Sequence, residues 1–381
     1  MRLAVYEWRK LLRLPALWVF LGLCLAFNAL LIGTLSPYDR AFFNDTSADA
    51  AVLGQRVDDA FLEGLSALPE TENRTLLLQS VTGLEDIFET YDTSTLSDFY
   101  TGVVEQSPTA VKWMIWKYGL LADRVEHLAQ TDAALDLYAG PVTQGSHQFL
   151  FGTLFRAILG ESAILAMLGT LYLLGYEGLH HTEGLTCSSR MGRRLRRVKA
   201  LAALPLSMVF YGLLALCTLA PYFLLYDYGG IWEASVSSQF NYLVDMLVVR
   251  PFLTWGDFTV GQYLAAALAL GAVLTAVFSL LAFVCGTLVH NTYLAALALG
   301  VLCFGGMGLI SALGELGWWA AYLIACFQPV MVWLSCSAWF TELGLTAVLP
   351  WQETIASGLN LLLLGAGSLL ALRRFDREDV V

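Results

Sequence analysis

Long apolar stretches alternate with polar segments along this chain. A helix needs about 20 apolar residues to cross roughly 30 Å of hydrocarbon, because its backbone polar groups must be satisfied within the segment. Ala16 to Leu35 fulfils this requirement without a single charged residue, and five later stretches are similarly apolar. The pattern therefore predicts six transmembrane helices at 15–35, 151–176, 200–226, 259–287, 293–313 and 354–372.

The first polar segment, residues 1–14, alternates basic and apolar residues. This alternation is typical of an amphipathic helix lying at the membrane interface. We assign Glu7, Trp8, Arg9 and Lys10 to that interface.

Residues 36–150 contain periodic apolar positions and several aromatic residues, which predict a helical domain with a small core. The other connecting segments are a basic loop at 177–199, a loop at 227–258 and a tail at 373–381.

Basic residues cluster at the N-terminus, at Arg190–Lys199 and in the C-terminal tail, and the middle cluster has six basic residues in ten. Basic loops remain in the cytoplasm, and these three clusters share one side only if an even number of spans separates them. We therefore expect a protein of the plasma membrane. Both termini should lie in the cytoplasm, and residues 36–150 should lie outside.

Residues 317–349 are apolar enough to suggest a seventh span, which would break this parity. Gln328–Pro329 interrupts the segment, and irregular backbone at membrane depth is tolerated only when it is buried in protein. We interpret the segment as two re-entrant half-helices dipping in from the outer face, with a full span as the open alternative. The predicted fold is an all-α polytopic membrane protein with six transmembrane helices, an N-terminal interfacial helix, a helical extracytoplasmic domain and this half-helix pair before the last span.

Composition supports a membrane protein. Hydrophobic residues make up 57% of the 381 positions and charged residues 14%, against about 25% charged in soluble globular proteins. Residues 36–150 hold 18 of the 32 acidic residues and only six of the 21 basic ones, so the net charge of −11 is concentrated there.

Candidate chemistry in this chain is sparse. His180, His181 and Glu183 lack the spacing of a zinc protease motif, and no Gly-Lys pair exists for a phosphate-binding loop. Six of the seven cysteines lie in apolar segments, where packing explains them. We expect no enzyme activity, no metal, no cofactor and no nucleic-acid partner for this chain.

Ionisable residues inside the membrane are costly and often functional. Glu161 and Arg156 near the outer end of the second span are the candidates. They either line a translocation path or form a pair that reaches the interface.

The loop between the second and third spans carries the most specific pattern. An acidic residue, a Gly-Leu step, a small polar pair and a basic tail follow one another in Glu183, Gly184, Leu185, Ser188, Ser189, Arg190, Gly192, Arg193, Arg194 and Lys199. This loop resembles that of the permeases of bacterial type-two ABC exporters, in the subgroup with a large outer domain between the first two spans. A basic cluster that only orients the chain in the membrane is the alternative.

The resemblance implies a short coupling helix within Glu183–Arg194 that contacts a separate ATP-binding subunit, which would hold ATP and magnesium. It also implies a second permease, either a copy or a paralogue, within the lipid bilayer. A non-transporting membrane sensor, or an immunity protein whose outer domain binds a peptide or other ligand, remains the competing function.

Overall fold

The computed structural model describes residues 2–188, 192, 194–245, 248–289 and 291–377. The chain is 76% helical, which confirms the all-α prediction. The helices in chain order are α1 Arg2–Leu12, α2 Pro15–Gly33, α3 Pro37–Leu53, α4 Asp59–Ala67, α5 Glu72–Val81, α6 Thr93–Val103, α7 Pro108–Gln130, α8 Thr143–His147, α9 Phe155–Leu179, α10 Glu183–Ser188, α11 Arg194–Leu225, α12 Val260–Leu288, α13 Thr292–Glu315, α14 Trp319–Ala325, α15 Pro329–Leu334 and α16 Gln352–Phe375.

Six helical stretches in the described part of the chain are long and apolar enough to cross a membrane. They are α2, the stretch Gly140–Leu179 that ends in α9, and α11, α12, α13 and α16. The protein is therefore a multi-pass membrane protein, as the apolar pattern predicted. Helix α12 packs against α9, α11 and α16 at the centre, whereas most of α13 is exposed on the outside of the bundle.

Local sequence signals set the starts of two of these spans. Thr259 caps α12 in a capping box with Gln262, and the Asn291 side chain accepts hydrogen bonds from the backbone N–H groups of Tyr293 and Leu294, the second and third residues of α13. Such side-chain acceptors satisfy donors that have no partner within the helix. Both caps fix where the polar connections give way to spanning helix.

The three basic clusters meet at one end of the bundle, which we call the basic end. The N-terminal helix α1 contacts α9 and α11, and Arg197 near the start of α11 pairs with Asp376 just after α16. Arg196 also donates a 2.9 Å hydrogen bond to the carbonyl of Gly286 near the end of α12. This arrangement is the one expected for an even number of spans between the clusters.

The other end of the bundle carries a layer built from three separate parts of the chain, residues 36–147, 227–259 and 341–351. We call it the acidic layer. It includes a short antiparallel hairpin, β1 Tyr242–Asp245 and β2 Val248–Pro251, in which Leu243 lies opposite Arg250. The hairpin lies in the connection 227–258, for which the apolar pattern indicated no regular element.

The helices of 36–150 share their cores with the other two parts of the layer. On α3, the Phe43 ring packs 5.2 Å from Tyr226 and 4.9 Å from Tyr228, measured between ring centroids. Helices α6 and α7 bury their apolar faces in a second cluster with Leu253 and Leu345. The apolar side chains of residues 36–147 are therefore divided between two clusters, and each cluster also contains residues from later parts of the chain.

Buried charges join these parts of the acidic layer. The Lys117 Nζ atom on α7 is completely buried and lies 3.3 Å from Glu342 Oε2, and it donates to the carbonyls of Gly344 and Ala347 at 2.6 and 3.1 Å. Arg250 of β2 lies 2.7 Å from the other oxygen of Glu342. Each of the three parts of the layer therefore supplies groups to one ion cluster, of the kind that is costly to break from one side.

Burial and charge act in opposite directions on the pKa values in this cluster. Burial lowers the pKa of Lys117 to about 8, although the attraction of Glu342 opposes the change. Burial alone would raise the pKa of Glu342, but Arg250 and Lys117 outweigh it and the pKa is lowered. The carboxylate is therefore held in its charged form by two cations.

Residues 317–349 form two short helices, α14 and α15, separated by a break at Cys326–Gln328. Asn360 on α16 donates a 2.7 Å hydrogen bond to the Phe327 carbonyl, and Gln328 donates a 3.1 Å hydrogen bond to the Gly306 carbonyl on α13. Helix α15 packs against α9, α12, α13 and α16. One neighbouring span thus donates a hydrogen bond to the backbone at the break, and another accepts one from the Gln328 side chain. Irregular backbone among spanning helices requires such partners.

Candidate functional site

The basic end presents a short helix, α10, between the two long helices α9 and α11. Its residues Gly184, Leu185 and Ser188 are exposed, and 75% of Leu185 is accessible. A Cβ atom added at Gly184 would meet no other atom within 4 Å. Helix α10 therefore offers a small exposed surface with one large apolar side chain.

The chain leaves α9 through a tight turn. His181 has a left-handed backbone with φ of 55°, and the next N–H group, of Thr182, donates to the Glu177 carbonyl at 2.8 Å. Thr182 in turn accepts hydrogen bonds from both the backbone N–H and the hydroxyl of Thr186 within α10. The backbone of α10 is thus attached directly to the last turn of α9.

An ion cluster lies under this turn. Glu177 on α9 pairs through one oxygen with Lys199 on α11 and through the other, at 2.9 Å, with Lys10 on α1. Lys10 also contacts Glu7 at 2.7 Å. Two acidic and two basic side chains therefore join three helices, and Lys199, which is only 3% exposed, additionally donates to the Leu173 carbonyl.

Helix α1 is held against the bundle by one face. Glu7 and Leu11 are buried, Trp8 donates a 2.9 Å hydrogen bond to the Ala202 carbonyl, and Lys10 lies 4.6 Å from the centre of the Tyr176 ring. Arg9 is exposed on the other face. Of the four residues assigned to the membrane interface, Trp8 thus contacts α11, Lys10 contacts α9, and Glu7 pairs with Lys10 within α1.

The pKa of Lys10 reflects this arrangement. Burial would lower it, but the hydrogen bonds and charges of Glu7 and Glu177 outweigh burial, so the pKa is raised above its ordinary value. Lys10 therefore stays charged and neutralises Glu7 on α1 and Glu177 in the last turn of α9.

The helices on both sides extend into the predicted loop 177–199. Helix α9 continues to Leu179 and α11 begins at Arg194, so the non-helical connection around α10 is shorter. The charged residues Glu177 and Lys199 fit inside helices because each neutralises the other. Both stand in the predicted loop 177–199, but they are 22 residues apart, and their pairing depends on how α9 and α11 meet in space.

Several of the residues on which the resemblance to exporter permeases rests lie in this site. Gly184, Leu185 and Ser188 share α10 with the backbone of Glu183, while Arg194 and Lys199 belong to α11. Gly192 lies in the turn before α11. Ser189, Arg190 and Arg193 lie outside the described residues.

Glu161 and Arg156 have different partners and do not lie together at one point. Glu161 accepts a 2.9 Å hydrogen bond from Asn28 on α2, whereas Arg156 approaches Ser337 at 3.4 Å and its carbonyl accepts from Trp333. These contacts therefore do not include an ion pair between Glu161 and Arg156. Among the described residues, no three His, Cys, Asp or Glu side chains are grouped as a metal site would require.

No protein-family model, curated protein or solved structure matches this chain.

Proposed function

We propose that this protein is the permease subunit of a bacterial type-two ABC exporter in the plasma membrane. In this proposal both termini and the basic end face the cytoplasm, and the acidic layer lies outside. The chain has no ATPase activity of its own, and ATP and magnesium bind to a separate subunit.

The observation that carries the proposal is the position of α10. It is a short exposed helix between two spanning helices, it lies where the three basic clusters meet, and it coincides with the loop that resembles the exporter permeases. A loop that only oriented the chain in the membrane would need positive charge but no exposed helix with an apolar side chain such as Leu185.

The contacts around α10 suggest how force is transmitted. Closure of the ATP-binding subunit would push on α10, which is bonded through Thr182 to the last turn of α9. Glu177 in that turn is paired with Lys199 and Lys10, so a displacement would move α9, α11 and α1 together. This shared motion would open the transport path alternately to the two sides of the membrane. A second permease would complete the path.

Replacing Leu185 by Asp tests the proposal. The change places a charge in the apolar contact with the partner, so we expect recovery of the ATP-binding subunit with the tagged chain to fall at least tenfold. Val52→Asp is the matched control, because Val52 is also 75% exposed but lies in the acidic layer. Both variants should insert and unfold like the unchanged protein.

Equal recovery of an ATP-binding subunit with the Leu185→Asp variant and the unchanged protein would contradict the role of α10. A sensor or immunity protein would act through the acidic layer. That alternative would be favoured if Val52→Asp, but not Leu185→Asp, abolished the activity of the protein in its host.

A further inference from the structure

A polar cluster lies within the membrane where α2, α9 and α11 meet. The Asn28 amide nitrogen on α2 donates to Glu161 Oε2 on α9 at 2.9 Å and to Thr218 Oγ1 on α11 at 3.0 Å. The Cys24 thiol lies one turn earlier on α2, close enough to Glu161 for the two groups to interact electrostatically. Residues from three spanning helices thus form one polar cluster, in which Glu161 is half-buried.

This cluster lies well inside the apolar part of the bundle. Asn28 is five residues before the end of α2 and Thr218 is seven residues before the end of α11, which places them roughly 8 to 10 Å inside the ends of these helices. Among the described residues, Cys24 is the ionisable group whose charge acts on Glu161, and the neighbouring helix α11 contributes the uncharged Thr218. A charged carboxylate at this position would have no cation to offset its transfer from water.

Glu177 on the same helix is in a different environment. It is paired with two lysines at the basic end, whereas the hydrogen-bond partner of Glu161 is the uncharged amide of Asn28. Helix α9 therefore carries two different carboxyl groups. Glu177 is held in its charged form by two lysines, whereas Glu161 has no cation among its contacts in the described part of the chain.

Asn28 can serve either protonation state of Glu161. Its Oδ1 atom is buried without a hydrogen-bond partner, and the residue is only 1% exposed. In the present orientation the amide N–H groups donate to the carboxylate and to Thr218. After a half turn of the amide, a protonated Glu161 and the Thr218 hydroxyl would both donate to Oδ1. Two hydrogen bonds form in each state, and the half turn leaves the amide N–H groups without a partner in place of Oδ1.

We infer that Glu161, Asn28 and Thr218 form a proton-binding site within the membrane, in which Glu161 gains and loses a proton while Asn28 exchanges donor for acceptor. The inference goes beyond the proposed function and does not rest on it. The charge at the junction of α2, α9 and α11 then depends on occupancy by the proton.

A hydrophobic carbodiimide, dicyclohexylcarbodiimide, tests the site in membranes that contain the full chain. A carboxylic acid adds across one C=N bond of the reagent: its proton goes to a nitrogen and its oxygen bonds the central carbon. The acyl group then migrates to nitrogen, and the N-acylurea product retains the full mass of the reagent. Because the reaction consumes the acid form in an apolar phase, mass spectrometry of the digested chain reports protonated carboxyl groups.

We expect the adduct on Glu161, at least ten times more abundant than on Glu177, and its rate should rise as the pH falls from 8.5 to 5.5. Glu161→Gln should abolish it. Asn28→Leu removes the donor that supports the carboxylate, so labelling should persist to a higher pH, by about one unit. Cys24→Ala should shift labelling in the same direction and provides the test if Asn28→Leu does not fold.

A second measurement does not depend on access of the reagent. The infrared difference spectrum between low and high pH should contain a protonated-carboxyl band that is missing in Glu161→Gln. The band supports the inference even if the reagent fails to reach the site. Absence of both the adduct and the band between pH 5.5 and 8.5 would overturn it.

Discussion

The Nζ atom of Lys10 on α1 lies 2.9 Å from Oε1 of Glu177 on α9. Because the other oxygen of Glu177 pairs with Lys199 on α11, one carboxylate joins three helices directly beneath the turn that leads to α10. The exposed helix α10 is therefore supported by a charged cluster and not by a flexible linker.

Replacing Glu177 by Gln should destabilise the protein strongly. The change leaves Lys199, only 3% exposed, without its counter-charge, and breaking a buried ion pair from one side costs about 3–5 kcal/mol. We expect a clear fall in the thermal unfolding midpoint in detergent. Asp376→Asn removes a more exposed pair with Arg197 and should cost less than about 1 kcal/mol. Equal midpoints for the two variants would show that the cluster does not stabilise the basic end.

Lys117 should give the acidic layer a characteristic dependence on pH. Burial lowers its pKa to about 8 from an ordinary value of 10.5, so between these values the unfolded chain binds more protons than the folded one. The unfolding free energy should therefore rise with pH, by up to about 3 kcal/mol across the whole window.

The difference between the unchanged protein and Lys117→Met isolates this effect from other titrating groups. Denaturant unfolding measured from pH 7 to 9.5 should show the rise in the unchanged protein and its absence in the variant. Parallel curves for the two proteins would mean that Lys117 keeps its ordinary pKa.

Residues 36–150 should not form a stable domain when expressed alone. In the full chain Phe43 packs against Tyr226 and Tyr228, and Lys117 needs Glu342 as its partner. Circular dichroism of the isolated segment should show no cooperative thermal transition. A sharp transition in the fragment would contradict the shared core. The same contacts predict that deletion of residues 40–145 disrupts folding as well as any function of this segment.

The apolar pattern was sufficient to predict the six spanning helices, because crossing hydrocarbon imposes a length and a composition that can be read in one dimension. The broken segment was also recognisable, since Gln328–Pro329 cannot continue a helix without a defect. In both cases the physical requirement is local in sequence.

Contacts between distant parts of the chain could not be predicted in this way. Nothing in the sequence near Lys117 indicates that Glu342, 225 residues later, is its partner. Likewise, Glu161 was recognisable as an intramembrane charge, but its partner Asn28 appears in the sequence only as a polar residue within the first span. Pairing depends on how the helices pack, which hydrophobic periodicity does not specify.

Purification of the tagged full chain from its native host in mild detergent, with bound proteins identified by mass spectrometry, tests the central claim most directly. We predict recovery of a soluble protein that carries a phosphate-binding loop of the ABC ATPase type. Recovery of the chain alone, or together with a kinase or receptor, would contradict the assignment as an ABC exporter permease.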